Sequence, residues 1–333
     1  MKACLIIAVL SNICVALAAE RVPWTHLNFQ NDPEDFRFAI IPDRSGGDFR
    51  GAFTNALNCV NMMRPEFVMT VGDLVPGVTT PDRLRKQQIE LTNFTSRVIA
   101  PMFYVVGNHD ITRSRPSYPR HHEDSSAVWR EFYGDKTYYS FKYKRCLFMA
   151  IDTMSGRDSR EKQCAITPEQ YDWIKKTLKD NSDVRWTFIF MHQPAVWDSS
   201  EWKSLETEVL TKREYTVFAG DWHEYAYARR HGRGYYVLSV AGGCSASNHK
   251  NRTKLLGEEY GEFDHITWVT MQKGGPTVVN LKLEGIIPGE YLTQATTKSQ
   301  IYHPVIDIPP DPKVCEKMMK LKAEKVSRKK GER

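Results

Sequence analysis

Residues 36–43 read FRFAIIPD, residues 67–73 read FVMTVGD, and residues 102–110 read MFYVVGNHD. Each is a short apolar run that halts at a polar residue, the pattern of a strand covered on both faces. Strands are therefore predicted at Phe36–Ile41, Phe67–Val71 and Met102–Val106. Helical spacing fills the gaps between them. Phe53, Leu57, Val60 and Met63 mark a helix over Phe49–Met63, and Leu84, Ile89, Leu91 and Val98 mark one over Pro81–Ile99. The order is β-α-β-α-β. Asp43 and Asp73 lie 30 positions apart and Asp73 and Asn108 lie 35 apart, one βαβ unit per step. Parallel strands bring their C-terminal ends to one sheet edge, where ligand sites form. Asp43, Asp73 and Asn108 are thus expected to meet in space.

The pattern continues downstream in a different rhythm. Thr137–Tyr143 and Arg145–Asp152 read as strands flanking a turn at Lys144. Thr167-Pro168-Glu169 opens a helix through Lys179, with proline in the first turn. Trp186–Met191 is an apolar run ending at His192, and Tyr215–Ala219 is one ending at Gly220-Asp221-Trp222-His223. A helix over Glu201–Thr211 separates them, and Tyr235–Ala241, Ile266–Met271 and Thr277–Leu283 are further strands. This arrangement predicts an α/β fold with two sheets face to face and helices outside. The folded body is placed at residues 35–290, and Pro309, Pro310 and Pro312 follow as terminators.

The chain has 333 residues, 41% hydrophobic and 26% charged, which excludes disordered and collagen-like classes. Residues 1–18 read as a signal peptide: Lys2, then a largely apolar stretch, then the small-x-small site Ala16-Leu17-Ala18. A secreted or extracytoplasmic protein is therefore expected, with a retained anchor as the weaker alternative. Five cysteines remain after that segment, Cys59, Cys146, Cys164, Cys244 and Cys315, so at least one is free or paired between chains. The sequons at Asn93 and Asn251 are candidate glycosylation sites. From Lys313 onward nine Lys/Arg face three acids, which equals the whole net charge of +6. The tail 313–333 is read as solvated, with weak contact to a polyanion or membrane surface as its alternative use. Nucleic-acid binding finds no basic-aromatic pattern to support it.

The strand ends gather Asp43, Asp73, Asn108, His109, Asp110, His192, Asp221 and His223. Carboxylate, amide oxygen and imidazole together suit Mn, Mg, Fe or Zn rather than thiophilic metals. Gly72-Asp73, Gly107-Asn108-His109-Asp110, His192 after a strand, and Gly220-Asp221-Trp222-His223 follow the order of the calcineurin-like metallophosphoesterases, which this sequence resembles from Asp43 to His223. The resemblance implies a four-layer α/β/β/α fold, two divalent metal ions, and hydrolysis of phosphate mono- or diesters by metal-activated hydroxide. It implies Asp43 and His223 at the first metal, Asp73 as bridge, and Asn108 and His192 at the second. It makes His109 the group that protonates the leaving oxygen or stabilises the charged transition state, with Asp110 orienting its ring.

Two departures from the family pattern matter. Asp43-Arg44-Ser45 stands where Asp-x-His is usual, so one imidazole is replaced by a poorly ligating hydroxyl. Asp221 stands where a histidine is usual and is retained as an oxygen ligand. The resulting set is richer in carboxylate, which favours Mn or Mg over Zn. Leu74, Val75 and Pro76 occupy the place of the Tyr ligand of purple acid phosphatases, which argues against an iron–tyrosinate centre. Arg44 beside Gly46-Gly47, and His231 near the last motif, are expected to contact the phosphate ester. The competing reading is a degenerate binding or scaffold relative with incomplete metal occupancy.

Overall fold

A computed structural model describes residues 27–45, 51–112, 117–155, 165–242 and 263–285, with positions 23, 25 and 114. The chain divides into units 1–33 and 34–333, and the sheets belong to the second. The expected signal peptide, Gly46-Gly47, Asn251, the cysteines 164, 244 and 315, the terminating prolines and the basic tail all lie outside the described residues.

The first three predicted strands form as β1 (Phe36–Ile41), β2 (Phe67–Thr70) and the short β3 (Met102–Phe103). They are parallel neighbours, with Ile41 opposite Thr70 and Met69 opposite Phe103. Helices α1 (Ala52–Met63) and α2 (Pro81–Thr95) connect them. Helix α3 (His121–Tyr133) leads to the antiparallel pair β4 (Tyr139–Tyr143) and β5 (Cys146–Ala150). Next come α4 (Pro168–Asp180), β6 (Trp186–Phe190), α5 (Ser200–Glu208) and β7 (Tyr215–Ala219). Two hairpins close the fold, β8 (Ala226–Arg230) with β9 (Arg233–Val237), and β10 (His265–Gln272) with β11 (Gly275–Lys282). Local chemistry sets the helix starts. Thr167 Oγ1 accepts the Gln170 N–H ahead of Pro168, and Ser199 Oγ accepts the Trp202 N–H.

The strand orders are β11-β10-β1-β2-β3 and β4-β5-β6-β7-β9-β8. Side chains alternate across each sheet, and this alternation creates three apolar layers. Phe36, Phe38, Phe67, Phe148, Phe188, Phe190 and Phe218 fill the space between the sheets. Ala39, Ile41 and Val68 face the other way, onto Phe53, Leu57, Val60, Leu84 and Leu91 of α1 and α2. Leu147, Met149, Ile189 and Val217 pack on Ile174, Leu178, Trp202 and Leu205 of α4 and α5. The result is the four-layer α/β/β/α sandwich. The inter-sheet rings interlock, with Phe38 stacked at 5.1 Å on Phe67 and edge-on at 5.2 Å to Phe188. Phe148→Ala in this layer would cost about 3–5 kcal/mol.

Helix α3 and strand β8 have no counterpart in the sequence reading. The buried face of α3 includes His121, Ser125 and Ser126 beside Val128 and Trp129, so polar residues interrupt its apolar stripe. Strand β8 reads AYARR and is mostly exposed at the sheet edge, so it carries no alternation to detect.

Candidate metal centre

Parallel strands β1, β2 and β3 from one sheet and β6 and β7 from the other end along a common edge, and each delivers one polar loop. The Asp43 backbone bridges to Val240, and its carbonyl accepts the Ala241 N–H at 2.7 Å. The Asp73 carbonyl accepts the N–H groups of Arg44 and Ser45 at 3.1 and 3.0 Å, which joins the first two loops. Asp73, Asp221 and His223 all have left-handed backbone, with φ of 55°, 71° and 56°. The Trp222 N–H reaches back to the Gly220 carbonyl at 2.9 Å, a tight turn about Asp221. Close approach requires glycine at 107, because a Cβ there would lie 2.2 Å from Asp73 Oδ1.

His192 is the focus. Its Nδ1 lies 2.7 Å from the Val71 carbonyl, which can only accept, so Nδ1 carries the hydrogen. Three oxygens surround the opposite nitrogen Nε2: Asn108 Oδ1 at 3.1 Å, Asp73 Oδ2 at 3.2 Å and Asp221 Oδ1 at 3.4 Å. A lone pair facing three acceptors is stable only around a positive charge. Asp43 stands next to this group, with Oδ1 3.9 Å from His192 Nδ1 and Oδ2 3.3 Å from His223 Nε2. Asp43 Oδ2 accepts the Asp221 N–H, whereas the buried Oδ1 has no hydrogen-bond partner. A buried orphaned carboxylate oxygen is costly unless a cation meets it. Asp43, Asp73 and His192 offer ligand atoms within 4.8 Å of one another, and all three are buried. The residues fit a divalent metal centre.

The electrostatics agree. Burial raises the Asp43 carboxyl above its ordinary range. Burial also presses upward on Asp73, but the charge and hydrogen bond of His192 outweigh it and hold Asp73 at about 2. Burial opposes a charged His192, yet the carboxylates of Asp73 and Asp43 keep it well above the usual histidine range. The pocket selects positive charge, whether a proton or a metal ion.

The remaining expected residues fall into place individually. Ser45 is buried and donates to Asp73 Oδ2 at 3.3 Å, so its hydroxyl is committed to that carboxylate. His109 Nδ1 is bonded to the Pro76 carbonyl, and Nε2 faces Asp73 Oδ2 at 3.8 Å. Its ring is therefore oriented by Pro76, not by Asp110. The Asp110 carboxylate instead accepts the backbone N–H groups of Asp73 and Gly107 at 3.0 and 2.8 Å, which fixes the second loop to the third. Burial, with Asp73 behind it, lifts Asp110 to about 7. Arg44 turns away from the cluster and lies between Phe53 and Phe94. His231 is also remote. It occupies the β8–β9 turn with Nε2 3.7 Å from Glu206, because β8 carries the chain from the site to the far end of the sheet. Asn93 is exposed on α2.

Two groups at the site were not singled out in the sequence. Gln193, buried, donates through Nε2 to Asp221 Oδ1 at 3.3 Å, and its Oε1 has no partner. Its position directly after His192 was the available signal. Trp222 lies between two candidate ligands and is 44% exposed. Elsewhere, Cys59 and Cys146 are buried free thiols, each raised by burial to about 11.

A family model described as calcineurin-like phosphoesterase matches residues 37–225, and the chain belongs to that family. Among solved structures it is similar to PhoD, with 12% identity, a TM-score of 0.54, and coverage of 74% of this chain and 68% of that one. It is similar to the purple acid phosphatase PPD1 from yellow lupin (Lupinus luteus) seeds, with 15% identity, a TM-score of 0.54, and coverage of 75% and 52%. It is also similar to GAP50, described as the anchor in the inner membrane complex of Plasmodium, with 14% identity, a TM-score of 0.53, and coverage of 75% and 85%. At such identities the likeness is one of fold. No curated protein matches the sequence.

Proposed function

We propose that this protein is a secreted, metal-dependent hydrolase of phosphate mono- or diesters, using two divalent cations of the Mn, Mg, Fe or Zn group. The observation that carries the reading is the meeting of Asp73, Asn108 and Asp221 oxygens at His192 Nε2, beside the orphaned oxygen of Asp43. Asp73, Asn108, His192 and Asp221 would hold one cation, and Asp43, Asp73 and His223 the other. Bound cations would supply Lewis acidity toward a phosphoryl oxygen and activate water as the nucleophile. Pro76 holds the His109 ring through Nδ1, so Nε2 faces the cluster. A protonated His109 there donates to the departing ester oxygen or to the developing negative charge. Asp110 keeps the Asp73 and Gly107 amides in place beneath both groups. The exposed Asn93 suits a glycan, and no helix among the described residues is long and apolar enough to cross a membrane.

Metal content of the purified secreted chain, with turnover of a chromogenic phosphodiester and a phosphomonoester under added Mn, tests the proposal. Bound metal with turnover supports it, and the faster ester names the subclass. Metal-free, inactive protein after Mn addition would instead support a binding role. Ser45 in the place of an imidazole is the observation that favours that second reading.

A further inference from the structure

We infer that Arg44 is a positioning residue that sets the Asp43 and Asp73 carboxylates for the cation, an inference that rests on the metal reading above. Arg44 is bonded covalently to Asp43 on one side and to Ser45 on the other. Its side chain is buried, and its guanidinium carbon lies 5.1 Å from the centre of the Phe53 ring and 5.0 Å from that of Phe94. Nη2 meets Glu90 Oε1 at 3.2 Å, and Nη1 donates to the Leu74 carbonyl at 3.4 Å. The Arg44 backbone N–H donates to the Asp73 carbonyl at 3.1 Å. One side chain thus touches α1, α2 and the loop that carries Asp73, while its backbone extends directly from Asp43.

A buried cation is a poor device for stability. Its desolvation is expensive, and an apolar side chain of similar volume usually does as well or better. Its acidic partner Glu90 is 55% exposed, so that pair is weakened by solvent. What the guanidinium offers is geometry. A planar fork stacked between two rings and bonded to a carbonyl has one orientation, which a flexible ammonium does not reproduce. Arg44 alone thus holds two successive carbonyls of the second loop, that of Asp73 through its backbone and that of Leu74 through its guanidinium. Outer groups of this kind orient ligands and govern metal affinity.

The test is a Mn(II) titration of the full chain, read from the resonance of unbound Mn, beside thermal unfolding. Arg44→Met should weaken Mn binding about 10–100-fold, and Arg44→Lys should recover part of that loss. Arg213→Met is the control. It removes a part-buried arginine, one that donates to the Leu178 and Asn181 carbonyls away from the site, and it should leave Mn affinity unchanged whatever its effect on the melting temperature. Should Arg44→Met not fold, Glu90→Gln with Phe94→Leu should weaken Mn binding in the same direction. Mn affinity of folded Arg44→Met within about threefold of wild type overturns the assignment, as does an equal affinity loss in Arg213→Met. Wild-type protein that takes up no Mn overturns the metal reading itself, and the role of Arg44 with it.

Discussion

Around His192, three of the four donors have a fixing partner outside the set: the Val71 carbonyl for His192, the His109 N–H for Asp73, and the Gln193 amide for Asp221. Around Asp43 the set is thinner. His223 approaches at 3.3 Å, and Ser45, in the place of a second imidazole, directs its hydroxyl to Asp73. Both groupings draw on Asp73 and the same sheet edge, yet one offers four donors and the other three, with one Asp43 oxygen tied to the Asp221 N–H and the other without a hydrogen-bond partner. The difference teaches that ligand type alone does not rank two halves of one centre. The number of groups already committed to other bonds ranks them too. The His192 half should bind first and tightly, and the Asp43 half second and weakly.

The most severe way to break the comparison is to remove what the halves share. Asp73→Ala should release metal from both, with turnover reduced at least about 100-fold; two metals retained in elemental analysis would mean the bridge is elsewhere. His109→Ala should lower kcat by about 10²–10⁴-fold while leaving metal content intact, since the ring faces the centre without completing either half. Full activity in that variant would remove His109 from the chemistry. Gln193→Leu and Ser45→Ala sharpen the contrast. The first deprives the Asp221 carboxylate of its amide donor and should weaken the tighter binding step about tenfold or more. The second should change either step less, because Asp73 keeps its charge partner His192. Reversed sizes in a two-step calorimetric titration would invert the ranking of the halves.

The smallest effect concerns the frame on the Asp43 side. His265 is buried, accepts the Ser239 N–H at 3.1 Å, and is held by burial at about 3. Ser239 in turn donates to the His223 carbonyl at 3.0 Å. The folded state keeps this ring neutral, whereas the unfolded chain binds a proton below about 6.5. The unfolded state therefore holds more protons between about pH 3 and 6.5, and the stability present above that window is lost as pH falls through it. The loss approaches about 1.4 kcal/mol per pH unit. Asp110, held at about 7, contributes the opposite slope over much of this range, so urea midpoints at pH 7, 6 and 5 are compared between wild type and His265→Gln, and the two slopes should differ by this amount. An unchanged slope would exclude His265 as the acid-sensitive group.

Much of the architecture was legible because it depends on short-range patterning. Apolar runs ending in Asp, Asn or His mark strands whose ends share an edge, and the structure places Asp43, Asp73, Asn108, His192, Asp221 and His223 along it. Side-chain direction was not legible. Arg44 is adjacent to Asp43, yet two phenylalanines from different helices draw it away from the centre. His231 is eight residues beyond His223, and an undetected exposed strand converts that short separation into the length of a sheet. Asp110 follows His109 directly, but its carboxylate meets two backbone amides from separate loops, a contact no sequence spacing encodes.

The left-handed backbone at Asp73, Asp221 and His223 has a consequence for which substitutions the centre accepts. Asp, Asn and His are the non-glycine residues that adopt this conformation most readily, and they are also short side chains able to meet a cation. At these positions conformational tolerance and coordination chemistry draw on the same small alphabet. Glutamate keeps the charge but lacks that conformational tolerance, and its extra methylene would carry the carboxylate past the focus. Exchanges among Asp, Asn and His are therefore the routes by which this edge can change its metal without losing its shape, and Asp221 in a histidine's usual place is one such exchange.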